Sequence, residues 1–577
     1  MRHLRRLLPY LDGHRAGIGW GLVCLLLTTA LAVATPWVLR HAVDDLTLEV
    51  TRGKLALYAG LVVGIVLLEG LFRFGMRWIL IGISREIEYE LRNDIFRHLT
   101  RLAPRYYDTH RIGDIMSRAT NDMSAVRMVL GPGIMYTANT VATFAGTITL
   151  MLSISPTLLG LALVPLGLVS VLVRHFGRRI HDRFERVQEQ LAEINALVQE
   201  NLSGARVVRA YVQEPFEAGR FEAANREYVE RNRRLIRMFG TLYPAIQLLM
   251  GLGVIVVLWL GGRMVVTERM SLGQFVAFGT YLAMLHWPMI ALGWVVNIFE
   301  RGEASMGRIA EILDAEPEIR DQEPDRVAEI RGEVEFRGLT FAYDGRPVLR
   351  DIDLKVLAGT TVAIVGPTAS GKSTLVGLIP RLYEAPPGTV LVDGRELRRI
   401  PLARLRGAVG FVPQESFLFS ESIRENVAFG AGDQGGGRVE WAAQIAQLDA
   451  EVRDFPRSYD TLVGERGIML SGGQKQRAAL ARALATDPRI LILDDALSSV
   501  DTHTEEEILK GLRAVMATRT TFLVSHRVST VKEADLIVVL REGRIVERGT
   551  HAELVALGGF YADLHRRQLL EEEMETA

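Results

Sequence analysis

The chain has 577 residues, 49% of them hydrophobic and 23% charged, with a formal net charge of -1. That length exceeds one ordinary domain, and this mixture is what results when an apolar half is averaged with a soluble half. The near-neutral balance excludes a global basic field that recruits nucleic acid, and a lone cysteine, Cys24, excludes an internal disulfide.

Arg2, Arg5 and Arg6 precede an apolar run from Ala16 to Leu39. The run is too long for a secretory signal core and ends near Pro36-Trp37 instead of a small-residue cleavage site, which predicts an uncleaved membrane helix. Membrane helices need about 20 mostly apolar residues. Six segments qualify, near 16–39, 55–83, 132–153, 157–174, 240–261 and 273–299. Met128 to Val173 contains no acid or base and divides at Ser153-Ile154-Ser155-Pro156. The second span is less clean, because it carries Glu69, Arg73 and Arg77.

Arginine collects in the N-terminal segment and in two long polar stretches, Arg85 to Arg127 and Arg174 to Arg237. Cytoplasmic segments near membrane ends carry such an excess, so both termini are expected in the cytoplasm. Apolar residues recur at three and four positions within the two stretches, which predicts long cytoplasmic helices. Their connectors are expected at Tyr106 to Asp122 and at Val212 to Phe221.

From Glu303 to Arg331 the chain becomes charged and is broken by Pro317 and Pro324, the pattern of a linker. Beyond it, β-branched runs such as Thr360 to Val365, Ala408 to Val412, Ile490 to Leu493 and Thr520 to Val524 alternate with helical patterns. That alternation predicts an α/β domain with a largely parallel sheet.

Gly366-Pro367-Thr368-Ala369-Ser370-Gly371-Lys372-Ser373 fits GxxxxGK[ST] between an apolar strand and a helix starting at Thr374. Backbone N–H groups of such a loop cradle phosphate oxygens, Lys372 reaches the terminal phosphates, and the Ser373 hydroxyl serves Mg²⁺. Ile490 to Leu493 ends in Asp494, a hard oxygen donor at the edge where open α/β sheets bind ligands. Leu470-Ser471-Gly472-Gly473-Gln474 supplies a second anion-binding surface, with exposed N–H groups and no side chains in the way.

With these motifs in this order the chain resembles, over essentially its whole length, an ABC transporter half of the exporter type. The resemblance implies an all-α polytopic membrane domain of six transmembrane helices with long cytoplasmic extensions (1–305), a linker (306–331) and an α/β P-loop NTPase domain with the ABC helical subdomain (332–577). It implies ATP and Mg²⁺ as cofactors, with Tyr343 stacking on adenine and Gly366, Thr368, Ser370, Gly371, Lys372, Ser373 and Thr374 holding phosphate. Ser471, Gly472, Gly473 and Gln474 then close on the nucleotide of a second subunit. Gln414 and Asp494 join Ser373 at the metal, His526 meets the γ-phosphate, and Ser498 to Asp501 crosses to the other subunit. The two connectors resemble coupling helices.

One position departs from the pattern. The family's glutamate after the metal-binding aspartate is Asp495 here, and losing one methylene withdraws the carboxylate by about 1.5 Å. A general base needs hydrogen-bond reach, so hydrolysis should suffer while binding survives. The expectation is therefore one subunit of a heterodimer whose partner chain keeps the glutamate. The resemblance implies export of hydrophobic or amphipathic solutes, such as drugs, lipids or peptides, across the cell (inner) membrane. A homodimeric exporter, a lipid floppase and an ATP-gated membrane regulator remain alternatives. Intramembrane charge costs about 2.5 to 3.5 kcal/mol on insertion scales, so Glu69 and Arg73 are either a self-neutralising pair or a wall of the transport cavity, with His286 and Gln247 as weaker candidates.

Overall fold

The computed structural model describes residues 2–321, 329–432, 435–464, 467 and 469–576. It divides into two compact units, one of Met1–Leu99 with Gly113–Asp314 and one of Thr100–Ile112 with Ala315–Ala577.

Among the described residues, six helices of the first unit are long and apolar enough to cross a membrane: α1 (Arg15–Leu48), α2 (Arg52–Leu99), α3 (Ile112–Ile154), α4 (Pro156–Ser203), α5 (Glu214–Val266) and α6 (Leu272–Asp314). At 1.5 Å per residue the 48 residues of α4 span about 72 Å, more than twice a hydrocarbon core of about 30 Å. Leu61, Val63, Leu67 and Leu71 on α2 are exposed, a surface that lipid tolerates and water does not. Two turns of α3, Arg118–Asp122 and Val129–Gly133, widen to π geometry, the second around Pro132. α6 loosens at Leu285, where Pro288 lacks the N–H that the carbonyl of Met284 needs.

Leu25, Met76, Leu80 and Met135 join α1, α2 and α3, whereas Val169, Leu242 and Ile246 join α4 to α5. Polar ties sit at the helix ends. Asp44 on α1 accepts from Ser271 Oγ and Gly273 N at 2.7 Å each, and Asp122 on α3 accepts from Ser305 Oγ and Arg308 Nε on α6 at 2.8 Å each.

Both connectors differ from expectation. The first is a short helix at Pro104–Thr109, and α3 has already begun at Ile112, inside the span expected to be connector. The second is a helix at Ala205–Ala210, ahead of the expected 212–221, because Gly204 ends α4 and Pro215 opens α5. The linker expected at 306–331 begins as the last turns of α6, and its residues 322–328 lie outside the described residues.

The second unit holds two sheets. β1 (Val334–Tyr343), β2 (Arg346–Val356), β4 (Val390–Val392) and β5 (Arg395–Glu396) form an antiparallel sheet in the order β2-β1-β4-β5. β3 (Thr361–Val365), β6 (Val409–Val412), β7 (Ile490–Asp494), β8 (Thr520–Val524), β9 (Leu536–Arg541) and β10 (Arg544–Gly549) form the other, in the order β10-β9-β3-β8-β7-β6. Only β10 in that sheet runs antiparallel. Alternation along the strands divides two cores. Ala363, Val365, Leu491 and Leu493 face one layer, while Val362, Ile364, Ile490 and Ile492 face the other. Burial on both faces explains why these strands read as unbroken apolar runs.

Candidate nucleotide site

Parallel strands β3, β8, β7 and β6 all finish at one edge, the edge where ligands sit in open α/β sheets. They deliver four groups of residues there: the phosphate loop after Val365, His526 after Val524, Asp494 and Asp495 at the end of β7, and Gln414 after Val412. Neighbours in the sheet thus become neighbours in the site.

The loop turns sharply at Gly366, where φ is +154° and an added Cβ would lie 2.0 Å from the Leu540 carbonyl oxygen. Only a residue without a side chain fits such an approach. Gly371 then leads into α7 (Lys372–Gly377). Lys372 Nζ donates to the carbonyls of Gly366 and Pro367 at 2.9 Å each, holding its charge across the loop. Ser370 is buried, and its hydroxyl has no hydrogen-bond partner. An orphaned donor inside a phosphate-type loop is matched to an oxygen-rich ligand. Thr368 lies exposed at the loop crest.

Ser373 Oγ donates to Asp494 Oδ1 at 3.0 Å, bringing two hard oxygens together. Burial pushes the Asp494 carboxyl above its ordinary range; the Ser373 hydrogen bond opposes that shift and neighbouring Asp495 reinforces it. Burial pushes the Lys372 ammonium down, against the pull of Asp495 and Asp494. Both shifts express charge held away from water, which a divalent cation and phosphate oxygens would compensate. Two protein oxygens leave most of an octahedral shell to phosphate and water, the usual arrangement for Mg²⁺.

Asp495 is buried with φ at +51°, its N–H bonded to the Val524 carbonyl at 3.0 Å. Its Oδ2 stands 3.2 Å from His526 Nε2. Gln414 is exposed beyond β6. The Tyr343 ring packs edge-on against Phe341 and Tyr383, with centroids at 5.0 and 5.1 Å, and its hydroxyl reaches Thr374 Oγ1 at 3.5 Å. Tyr383 Oη also donates to Asp108 Oδ2 at 3.3 Å, and Arg105 pairs with Asp344 at 2.5 Å, so the first connector meets residues beside Tyr343.

Ser471 caps α8 (Gly472–Ala485). Its Oγ accepts from Gln474 N while Gln474 Oε1 accepts from Ser471 N, a reciprocal capping box. Gly473 lies so near the loop after β7 that a Cβ would sit 2.9 Å from the Ser499 carbonyl oxygen. Gln476 fixes the same loop, donating to Ser498 Oγ at 2.9 Å and accepting from Ser499 N at 2.8 Å. Glu451 accepts from Gln474 Nε2 and Arg477 Nη2 at 2.7 Å each. Sequence reasoning missed Glu451 and the role of Gln476, because only the fold brings Glu451 to α8 and the Ser498–Ser499 loop to Gln476. Among the described residues no hydrogen bond or ion pair joins the phosphate loop to Ser471–Gln474.

In the membrane unit, Glu69 and Arg73 pair with each other along α2. Arg73 also lines a groove of about 990 Å³ between the start of α1 and α2. A cavity of about 330 Å³ lies between α3 and α6, walled by Asn121, Ser124, Asn297 and Arg301 beside Met128 and Trp294. None of Glu69, Arg73, Gln247 and His286 lines that cavity.

Six apolar spanning helices and a phosphate-loop sheet with a second, glycine-flanked anion surface define a membrane-bound transport ATPase. Residues 18–289 match the family described as ABC transporter transmembrane region, and residues 349–498 match the one described as ABC transporter. The probable multidrug resistance ABC transporter ATP-binding/permease protein YheI of Bacillus subtilis is 37% identical over 95% of this chain and 94% of its own length. The multidrug resistance-like ATP-binding protein MdlA of Escherichia coli is 35% identical over 96% and 95%. An ATP-dependent lipid A-core flippase of Syntrophus aciditrophicus is 32% identical over 99% and 95%. A solved structure of a bacterial Atm1-family ABC exporter with ATP bound superposes with a TM-score of 0.79 at 29% identity, covering 96% of this chain and 98% of that one.

The chain belongs to the ABC transporter family, as a half-transporter of the exporter type with membrane and ATPase domains in one polypeptide. It couples ATP hydrolysis to transport as a multi-pass protein of the cell (inner) membrane, with the ATPase domain in the cytoplasm.

Proposed function

We propose that the chain is one subunit of a heterodimeric exporter for amphipathic solutes, and that its own ATP site binds nucleotide but hydrolyses it slowly. The observation that carries this reading is Asp495, one methylene shorter than a glutamate and directed at His526 Nε2 at 3.2 Å. A base withdrawn by about 1.5 Å loses its hold on attacking water. Lys372, Ser373 and Asp494 are unaffected by that change and keep the means to bind.

ATP lies along the phosphate loop, with adenine against Tyr343 and phosphate oxygens competing for Lys372. Ser373, Asp494 and Gln414 hold Mg²⁺, which neutralises phosphate charge when bound. His526 faces the γ-phosphate. Ser471, Gly472, Gly473 and Gln474 complete the partner chain's site, with the capping box of Ser471 and Gln474 leaving the N–H groups of Gly472 and Gly473 at the helix start for the phosphate. Two subunits closing over nucleotide then exchange inward-facing and outward-facing membrane states. The α3–α6 cavity supplies polar groups, including Arg301, beside Trp294 and Met128, which suits a solute with an apolar body and a polar or anionic head. The relative named as a lipid A-core flippase is in keeping with such cargo.

The experiment is purification from the native membrane followed by two substitutions in the assembled transporter. A second ABC chain with glutamate in this position should co-elute, Asp495→Asn should leave most turnover, and Gly472→Trp should abolish it. The opposite pattern assigns the working site to this chain and overturns the reading.

A further inference from the structure

The switch-like segment Ser525–Val528 is held from two sides. Its main chain is gripped by one side chain of the C-terminal helix α10 (Phe560–Thr576). Gln568 Nε2 donates to the His526 carbonyl at 2.5 Å, and Gln568 Oε1 accepts from Val528 N at 2.7 Å. One amide thus satisfies both a donor and an acceptor across the bend at His526 and the start of the short helix Val528–Val531. Opposite it, buried Glu505 on α9 (Thr502–Met516) contacts Arg527 Nη1 and accepts from Thr530 Oγ1 at 2.5 Å. Arg527 N donates to Ser525 Oγ at 3.0 Å. With the His526 carbonyl and the residues that follow it fixed, the half-exposed imidazole keeps its backbone origin and its 3.2 Å approach to Asp495.

We propose that Gln568 is a positioning residue for His526, so that the C-terminal helix sets how well this site distinguishes ATP from ADP. The inference rests on the assignment of His526 to the γ-phosphate. An amide held only to anchor α10 would move stability and leave that distinction alone. An amide that aims His526 acts on the terminal phosphate, which ADP lacks. One fixed amide bonded to the His526 carbonyl and to the Val528 N–H holds the main chain on either side of Arg527, directly after His526, and small displacements at a phosphate contact are costly.

The test uses the full-length transporter, with 8-azido-ATP photolabelling of this chain competed by ATP or by ADP. The ratio of the two competition constants is read for wild type, His526→Ala, Gln568→Ala and the double variant. His526→Ala should lower the ATP preference about tenfold and Gln568→Ala about fivefold, and the double variant should match His526→Ala alone. Gln568→Glu keeps the bond to Val528 but cannot donate to His526; it repeats the measurement if Gln568→Ala melts early. A normal ratio in both Gln568 variants, or losses that add with His526→Ala, overturns the proposal. If His526→Ala itself keeps the ratio, the assignment of His526 falls and the proposal falls with it.

Discussion

The phosphate-loop half-site and the Ser471 half-site of this chain are built to different tolerances. In the first, the decisive side chain, Asp495, is short and engaged with His526, while the binding groups around it are complete. In the second, every described contact is closed: a reciprocal cap at Ser471, a glycine pressed against Ser499, and Gln476 bonded to both sides of the following loop. On the proposed reading, the contrast separates the chemistry of the chain's own site from the surface it lends to another.

The largest effect tests the tighter half. Gly473→Val places a Cβ against the Ser499 carbonyl and should reduce turnover of the assembled transporter about a hundredfold or more, measured as phosphate release with the domain still folded by circular dichroism. Retained turnover breaks the contrast. Asp495→Glu restores the missing methylene and, in the proposed heterodimer, should raise hydrolysis at this chain's site about tenfold or more, read in a background where the proposed partner's glutamate is replaced by glutamine. Tyr343→Ala should weaken ATP binding roughly fivefold to tenfold by competition photolabelling, with ATP and ADP affected alike.

Acidity sharpens the looser half. If Asp494 holds the cation as proposed, protons compete for it there, and because burial lifts that carboxyl above its ordinary range, Mg²⁺ dependence should steepen as pH falls, starting at higher pH than for an exposed aspartate. Magnesium titrations of nucleotide binding across acidic pH give the measurement. Asp494→Asn removes the titration along with the affinity. The smallest effect belongs to Glu69 and Arg73. Replacing both with leucine removes a self-neutralising pair and should leave basal ATPase within about twofold while cargo-stimulated activity shifts modestly.

Features coded locally could be read from the chain. The six apolar runs, the GxxxxGK[ST] loop after a β-branched strand and the Leu470–Gln474 run each carry their own signal within a few residues, and they fall on helices, on a strand-loop-helix and on a helix start. The second helical connector was misplaced because the real breaks come from Gly204 and Pro215, while the arginine-rich pattern continues across them. Gln568 and Glu451 were invisible for a different reason. Each acts across more than 20 residues of chain, and nothing in the surrounding pattern marks one polar side chain as the one that turns inward. The α3–α6 cavity was missed likewise, since Asn121 and Asn297 look like ordinary polar residues until two helices meet.

The length of α4 has a mechanical corollary. A rod of about 72 Å with about 30 Å in hydrocarbon leaves an arm of about 40 Å outside it. Tilting such a rod by about 5° at the bilayer surface sweeps its far end through about 3.5 Å, roughly the rise of two residues along its axis. Small rotations among lipids and side-chain-sized displacements at the far end of α4 are therefore the same motion seen at two radii.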